Sequence, residues 1–168
     1  QNPYAMSKYQ QEMLSINLGK RIGVPSVAMR YSIVQGSRQS FYNAYSGACR
    51  IFSLAYFFNK VPTIYEDGNS IRDFVNIKDV VKANILVMES NESNYKVFNV
   101  GGGEKYTVLE FAEMAADVFD VEFKFNLPSE YRFGDTRHIF SDISSLKSLG
   151  WEVNFTPKDS LKEYKEYL

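Results

Sequence analysis

Tyr4 and Lys8 stand four residues apart near the start of the chain. On a helix, residues i and i+4 share a face, which brings the phenol and the ammonium within a few ångströms of each other. A neighbouring positive charge favours phenolate over phenol, so such a tyrosine can serve as a general base near neutral pH. The spacing alone is weak evidence. With 12 tyrosines in 168 residues such a pair arises by chance, and Tyr56 and Lys60 make another inside an apolar stretch. A solvated helix face is the plain reading of either pair. Arg72, in Arg72-Asp73-Phe74, is a second candidate. A guanidinium fork suits an oxygen-rich anion better than an ammonium does, whereas the plain reading is a charge at a sheet edge. Arg132 and Asp135 flank Phe133-Gly134 in a tight loop, as a pair of ligand-binding groups or as an ordinary surface ion pair.

Other chemistries lack their residues. Cys49 is the single cysteine and His138 the single histidine, which leaves no internal disulfide and little for a zinc site or a Ser-His-Asp triad. Gly101-Gly102-Gly103 is not a dinucleotide-binding fingerprint, which needs the first strand-turn-helix unit of a fold and a downstream acid. A net charge of -1 with 23% charged residues and no long run of one sign gives no footprint for nucleic acid or an acidic membrane. No apolar run approaches the roughly 18 residues of a membrane span. The chain starts at Gln1 with no signal-like segment, so a cytoplasmic protein entered part-way along its sequence is expected.

These groups need elements to position them. Asn2-Pro3 precedes a helical pattern over 4–20, punctuated by Gly19 and Gly23, and a short buried strand follows over 25–31. Residues 36–46 mix polar and aromatic side chains and read as a ligand-holding loop. Helix 47–59, a strand at 63–65, the turn Glu66-Asp67-Gly68-Asn69, strand 72–77 and helix 78–90 come next. Strand 97–100 runs into the three glycines; helix 107–119, strand 121–125 and short helices near 142–149 and 157–168 complete the chain. With 45% apolar residues this is one ordinary domain's worth of core, of the α/β class.

Tyr4-Ala5-Met6-Ser7-Lys8, followed after one helix by Pro25-Ser26-Val27-Ala28-Met29-Arg30-Tyr31, resembles the tyrosine helix and next sheet strand of the extended short-chain dehydrogenases, in the branch that epimerises or dehydrates nucleotide sugars. Residues 68–81 look like that family's substrate-binding segment, and Phe98-Asn99-Val100-Gly101-Gly102-Gly103 like its final core strand and glycine turn. Arg132-Phe133-Gly134-Asp135, Asp142-Ile143-Ser144 and Leu149-Gly150-Trp151 resemble its C-terminal signature in order and spacing.

The resemblance implies a partial Rossmann-type parallel sheet, the C-terminal part of one, with a small α+β substrate-binding domain. Residues 1–36 and 97–103 would be the remnant of the dinucleotide-binding domain, and residues 37–96 and 104–168 the substrate domain. It implies NAD as cofactor of the intact parent, bordered by Tyr4, Lys8 and Tyr31, with Tyr4 and Lys8 catalytic. Lacking the first strands of the fold, the chain alone would be inactive and without a proper NAD site. The implied partner is a nucleoside-diphosphate sugar, with a homodimer as the intact assembly. Arg72 and Arg132 would grip the diphosphate, Asp135 the ribose, and Tyr65 the base; Asn43 and Ile33 stand at further substrate-binding positions. Ile33 departs from the family, which places an asparagine there. Of the activities in the branch, 4-epimerisation through a 4-keto intermediate fits best. Arg38-Gln39-Ser40, residues 43–47 and Glu66-Asp67-Gly68 look most like epimerases; a 4,6-dehydratase or a non-catalytic nucleotide sensor or scaffold of the same fold are the alternatives.

Overall fold

The computed structural model describes residues 2–43, 47–130 and 136–168. Helix α1 (Pro3–Ile22) starts where Asn2 accepts from the Ala5 amide and proline occupies the first turn; it ends at Gly23, whose φ of 70° is left-handed. Strands β1 (Ala28–Tyr31) and β2 (Ile33–Gln35) follow, then α2 (Ala48–Phe57), β3 (Ile71–Arg72), β4 (Phe74–Asn76) and α3 (Ile77–Glu89). Beyond them lie β5 (Val97–Val100), β6 (Tyr106–Thr107), α4 (Val108–Phe119), α5 (Ser144–Lys147) and α6 (Pro157–Tyr167). Both α4 and α6 open on capping boxes, Thr107 with Glu110 and Thr156 with Asp159.

The fold is mixed α/β with parallel pairing. β1 runs parallel to β5, Ala28 opposite Val97 and Tyr31 opposite Val100. At Ser32 the chain changes partners: the Ser32 amide still bonds to Val100, while the Ile33 amide bonds to Asp73, and β2 continues parallel to β4. β3 and β6 form a short antiparallel pair, Arg72 opposite Tyr106.

Side chains alternate along β4, and the alternation separates two apolar clusters. Phe74 faces α2, α4 and α6, stacked on Phe111 at 4.2 Å between ring centres; Cys49, Phe52, Tyr56, Leu161 and Tyr164 fill that cluster. Val75 faces the other way, towards Val80, Val87, Phe98, Leu146 and Trp151. The two glycines after β5 let this strand junction close: a Cβ on Gly101 would lie 2.1 Å from the Asp73 carboxylate, and one on Gly102 1.9 Å from the Phe74 carbonyl oxygen. Two expected strands are reduced to less. Residues 121–125 form no ladder; Val121, Phe123 and Phe125 bury their apolar face against the first cluster, and pairing is limited to a bridge between Thr63 and Asn126. Among the described residues no helix is long and apolar enough to cross a membrane.

Candidate active site

α1 carries Tyr4 and Lys8 on one face. The Lys8 ammonium lies 5.9 Å from the centre of the Tyr4 ring and donates to the Gln11 side chain at 3.3 Å. The Tyr4 ring is 71% exposed. Both residues line an open groove of about 780 Å³ whose opposite wall is the run from Val27 to Ser32, Tyr31 included. The groove is clasped on one side by a bidentate ion pair, Arg30 Nε and Nη2 each donating to a Glu12 oxygen at 2.7 Å. That guanidinium holds the Glu12 carboxyl below the usual carboxylate range against the opposing effect of burial. The Tyr31 hydroxyl donates to Asn84 of α3 at 2.8 Å, and Asn84 in turn donates to the Val80 carbonyl, which fixes the Tyr31 ring at the groove wall. Tyr4, Lys8 and Tyr31, singled out from different parts of the sequence, thus line one groove.

A buried carboxylate ties this wall to β3. Asp73 is fully buried. Its Oδ2 accepts from the Ser32 hydroxyl at 2.7 Å and the Ser141 amide at 3.2 Å, and its Oδ1 from the Gly102 amide at 2.7 Å. The residue after Tyr31 is therefore bonded to the residue after Arg72. The Arg72 guanidinium donates through Nη1 to the carbonyls of Ile71 and Arg137, at 2.9 and 2.8 Å, and makes no other hydrogen bond among the described residues. Tyr65, half exposed, stands just ahead of β3 on the turn closed by the Gly68 amide donating to the Tyr65 carbonyl.

The other sequence candidates fall differently. Ile33 is partly buried and packs on the first cluster. Asn43 is exposed in the loop before α2. Arg132 and Asp135 lie outside the described residues. His138 Nδ1 accepts from the Ile71 amide at 3.3 Å. Among the described residues no group of His, Cys, Asp and Glu side chains is arranged to hold a metal ion. Sequence reasoning did not find Ser32, Asp73, Glu12 or Arg30; each is a common residue type whose partner is remote in the chain, and no local signal marks it.

Residues 1–101 match the sequence model of the NAD dependent epimerase/dehydratase family. The chain belongs to that family. It is 30% identical over 166 residues to the dTDP-L-rhamnose 4-epimerase of Burkholderia thailandensis, covering 98% of this chain and 46% of that protein. The structure of a Methanobrevibacter ruminantium UDP-N-acetylglucosamine 4-epimerase in complex with UDP-N-acetylmuramic acid superposes with a TM-score of 0.90 at 32% identity, over 99% of this chain and 53% of that one. A Thermotoga maritima UDP-glucose 4-epimerase with UDP-glucose superposes with a TM-score of 0.87 at 33% identity, over 98% and 52%. The chain spans about half the length of the relatives it matches. The family is an NAD-dependent one, and the groove of this chain presents an exposed phenol, an ammonium on the same helix face and an aromatic ring on the facing strand.

Proposed function

We propose that this chain is the C-terminal part of an NAD-dependent nucleotide-sugar 4-epimerase in which Tyr4 is the proton acceptor and Arg72 holds the substrate diphosphate. The observation that carries the reading is the convergence of Tyr4, Lys8 and Tyr31 on one open groove, with Tyr4 exposed at its edge. Residues 1–36 and 97–103 would contribute to the cofactor side and residues 37–96 and 104–168 to the substrate side, in a homodimeric whole protein.

NAD would supply the hydride acceptor and donor when bound. Tyr4 accepts the proton of the sugar's 4-hydroxyl as the 4-keto intermediate forms, and gives it back when the carbonyl is reduced on its other face. The Lys8 charge stabilises the phenolate while that proton is held. Tyr31 would border the nicotinamide. Arg72 neutralises the diphosphate with Arg132, while Asp135 accepts from the ribose and Tyr65 lies against the base; Asn43 lies beside the sugar. The Ile33 side chain offers no hydrogen bond, and its packing into the first cluster is the observation behind a second reading, a nucleotide-binding protein without turnover.

Two substitutions in the whole protein test the assignment. Tyr4→Phe keeps the ring and removes the hydroxyl, so turnover falls by about 10²- to 10⁴-fold with NAD affinity retained. Arg72→Ala weakens UDP or TDP binding by roughly 10- to 150-fold, the equivalent of about 1.5–3 kcal/mol for a charge-assisted hydrogen bond. Undiminished turnover by Tyr4→Phe would show the dyad to be structural. A parent that binds nucleotide sugar but never interconverts it favours the second reading.

A further inference from the structure

Glu66 occupies a backbone position that its type disfavours. Its φ is 55°, in the left-handed region that residues with a Cβ enter at a cost and that glycine enters freely. Glycine could occupy that position without strain, so what the chain retains there is the carboxylate. Glu66 Oε2 accepts from Arg137 Nη1 at 2.7 Å, and Asp67 Oδ2 accepts from Arg137 Nη2 at 2.6 Å. One guanidinium is thus forked between the acids of two successive residues. The turn bearing them is itself pinned, the Glu66 amide to the Glu130 carbonyl and the Asp67 side chain to the Asn69 amide.

The far side of Arg137 faces Arg72. The Arg137 carbonyl accepts from Arg72 Nη1, while one residue further His138 accepts from the Ile71 amide, and the Ile139 amide donates to the Ile71 carbonyl. The stretch 137–139 is stitched along β3, and its first residue is tied by side chain to the turn that leads into the same strand. Displacing the Arg137 side chain would move the carbonyl that orients the Arg72 guanidinium.

We propose that Glu66, Asp67 and Arg137 form a clamp whose task is to position Arg72 for the substrate diphosphate. This rests on the phosphate role given to Arg72 above. The three are positioning residues; none of them touches the anion. Charge alone predicts the opposite behaviour. Two carboxylates and one guanidinium sum to one negative charge beside an anion site, so through-space electrostatics makes the clamp unfavourable to a diphosphate, and removing a carboxylate should tighten binding. Positioning predicts that the same removal weakens it.

The sign of the effect decides. In the whole protein, Glu66→Gln, Asp67→Asn and Arg137→Lys are titrated calorimetrically with UDP and TDP and separately with NAD. Arg137→Lys keeps the charge but cannot span both acids. Each variant is expected to weaken nucleotide binding by about 2- to 5-fold, the size a partly exposed ion pair supports, with NAD affinity unchanged. Glu66→Gly, which relieves the backbone and removes the side chain, gives the same loss without a lowered melting temperature. In an Arg72→Ala background, Glu66→Gln has no further effect, because the clamp acts through Arg72. Tighter or unchanged nucleotide binding in the charge-neutralised variants overturns the clamp while Arg72→Ala still weakens binding. An equal loss with and without Arg72 also overturns it. If Arg72→Ala itself binds nucleotide as the parent does, the phosphate role fails and the clamp with it.

Discussion

Asp73→Asn should destabilise the fold more than any other isosteric change at the site. The side chain is fully buried and meets three donors, the Gly102 and Ser141 amides and the Ser32 hydroxyl. Asparagine keeps the volume but has one oxygen and one amino group. With its oxygen towards Gly102, the amino group points at the Ser141 amide, a fixed backbone donor that cannot turn away. Leaving that amide without an acceptor costs about 1–3 kcal/mol, and the bond kept at Gly102 loses its charge assistance, about 1 kcal/mol more. Ser32 recovers by rotating its hydroxyl to accept. Together these give roughly 2–4 kcal/mol, or a fall in melting temperature of about 5–15 °C for a domain of this length. Urea titration followed by circular dichroism and by the buried Trp151 measures it. Expected is a lower midpoint with an unchanged slope, and for Ser32→Ala a loss of about 1.5–3 kcal/mol, since a hydroxyl that donates to the carboxylate and also bonds the Ser141 hydroxyl goes while both backbone donors keep their acceptor. An Asp73→Asn chain within about 0.5 kcal/mol of the parent would refute the idea that this carboxylate holds the strand junction together.

Two further outcomes follow from the environments of other ionisable groups. Burial pushes the Cys49 thiol up to about 12, so a disulfide-exchange reagent at mildly alkaline pH should leave the folded chain unlabelled and label it promptly in denaturant; rapid native labelling would contradict the packing around α2. The carboxyls of Glu12, Glu110 and Asp159 are held low, by Arg30, by Thr107 and by Thr156 respectively. Groups depressed in the fold contribute stability above their ordinary values of 4.5 and 3.8 and lose it as pH falls through the lower folded values, so the melting temperature should drop only below about pH 4.5. A drop beginning near neutrality would point to other groups.

The helices were readable because their signals are local. The expected spans 4–20, 78–90 and 107–119 meet α1, α3 and α4 within a few residues, each with its own capping residue, Asn2, Asn76 and Thr107, and α3 and α4 with a periodic apolar face as well. Strands were harder. The alternation of 121–125 is real, but what it buries against is a helical cluster, and among the described residues no strand pairs with it in a ladder. The change of partner at Ser32 was hidden for a related reason: the run from 28 to 35 is extended throughout, and only the positions of β4 and β5 decide where one pairing ends and the next begins.

The site divides along the same line. Tyr4 and Lys8 lie within one helical turn of each other, so a rule about i and i+4 reaches them, and the structure puts them on a groove. Asp73 gathers groups from residues 32, 102 and 141, separations that no spacing rule covers, and an acid between an arginine and a phenylalanine reads as a solvent-facing residue at an edge. The glycines carry the only trace of it. Gly101 and Gly102 are not a phosphate cradle but the two places where a Cβ would strike the Asp73 carboxylate and the Phe74 carbonyl. Paired glycines after a strand thus report a neighbour packed at backbone distance, and the question they pose to a sequence reader is which buried group sits there. In this chain it is the carboxylate that joins the Tyr31 wall of the groove to Arg72. A substitution at either glycine should therefore disturb the relation between the Tyr31 wall of the groove and Arg72.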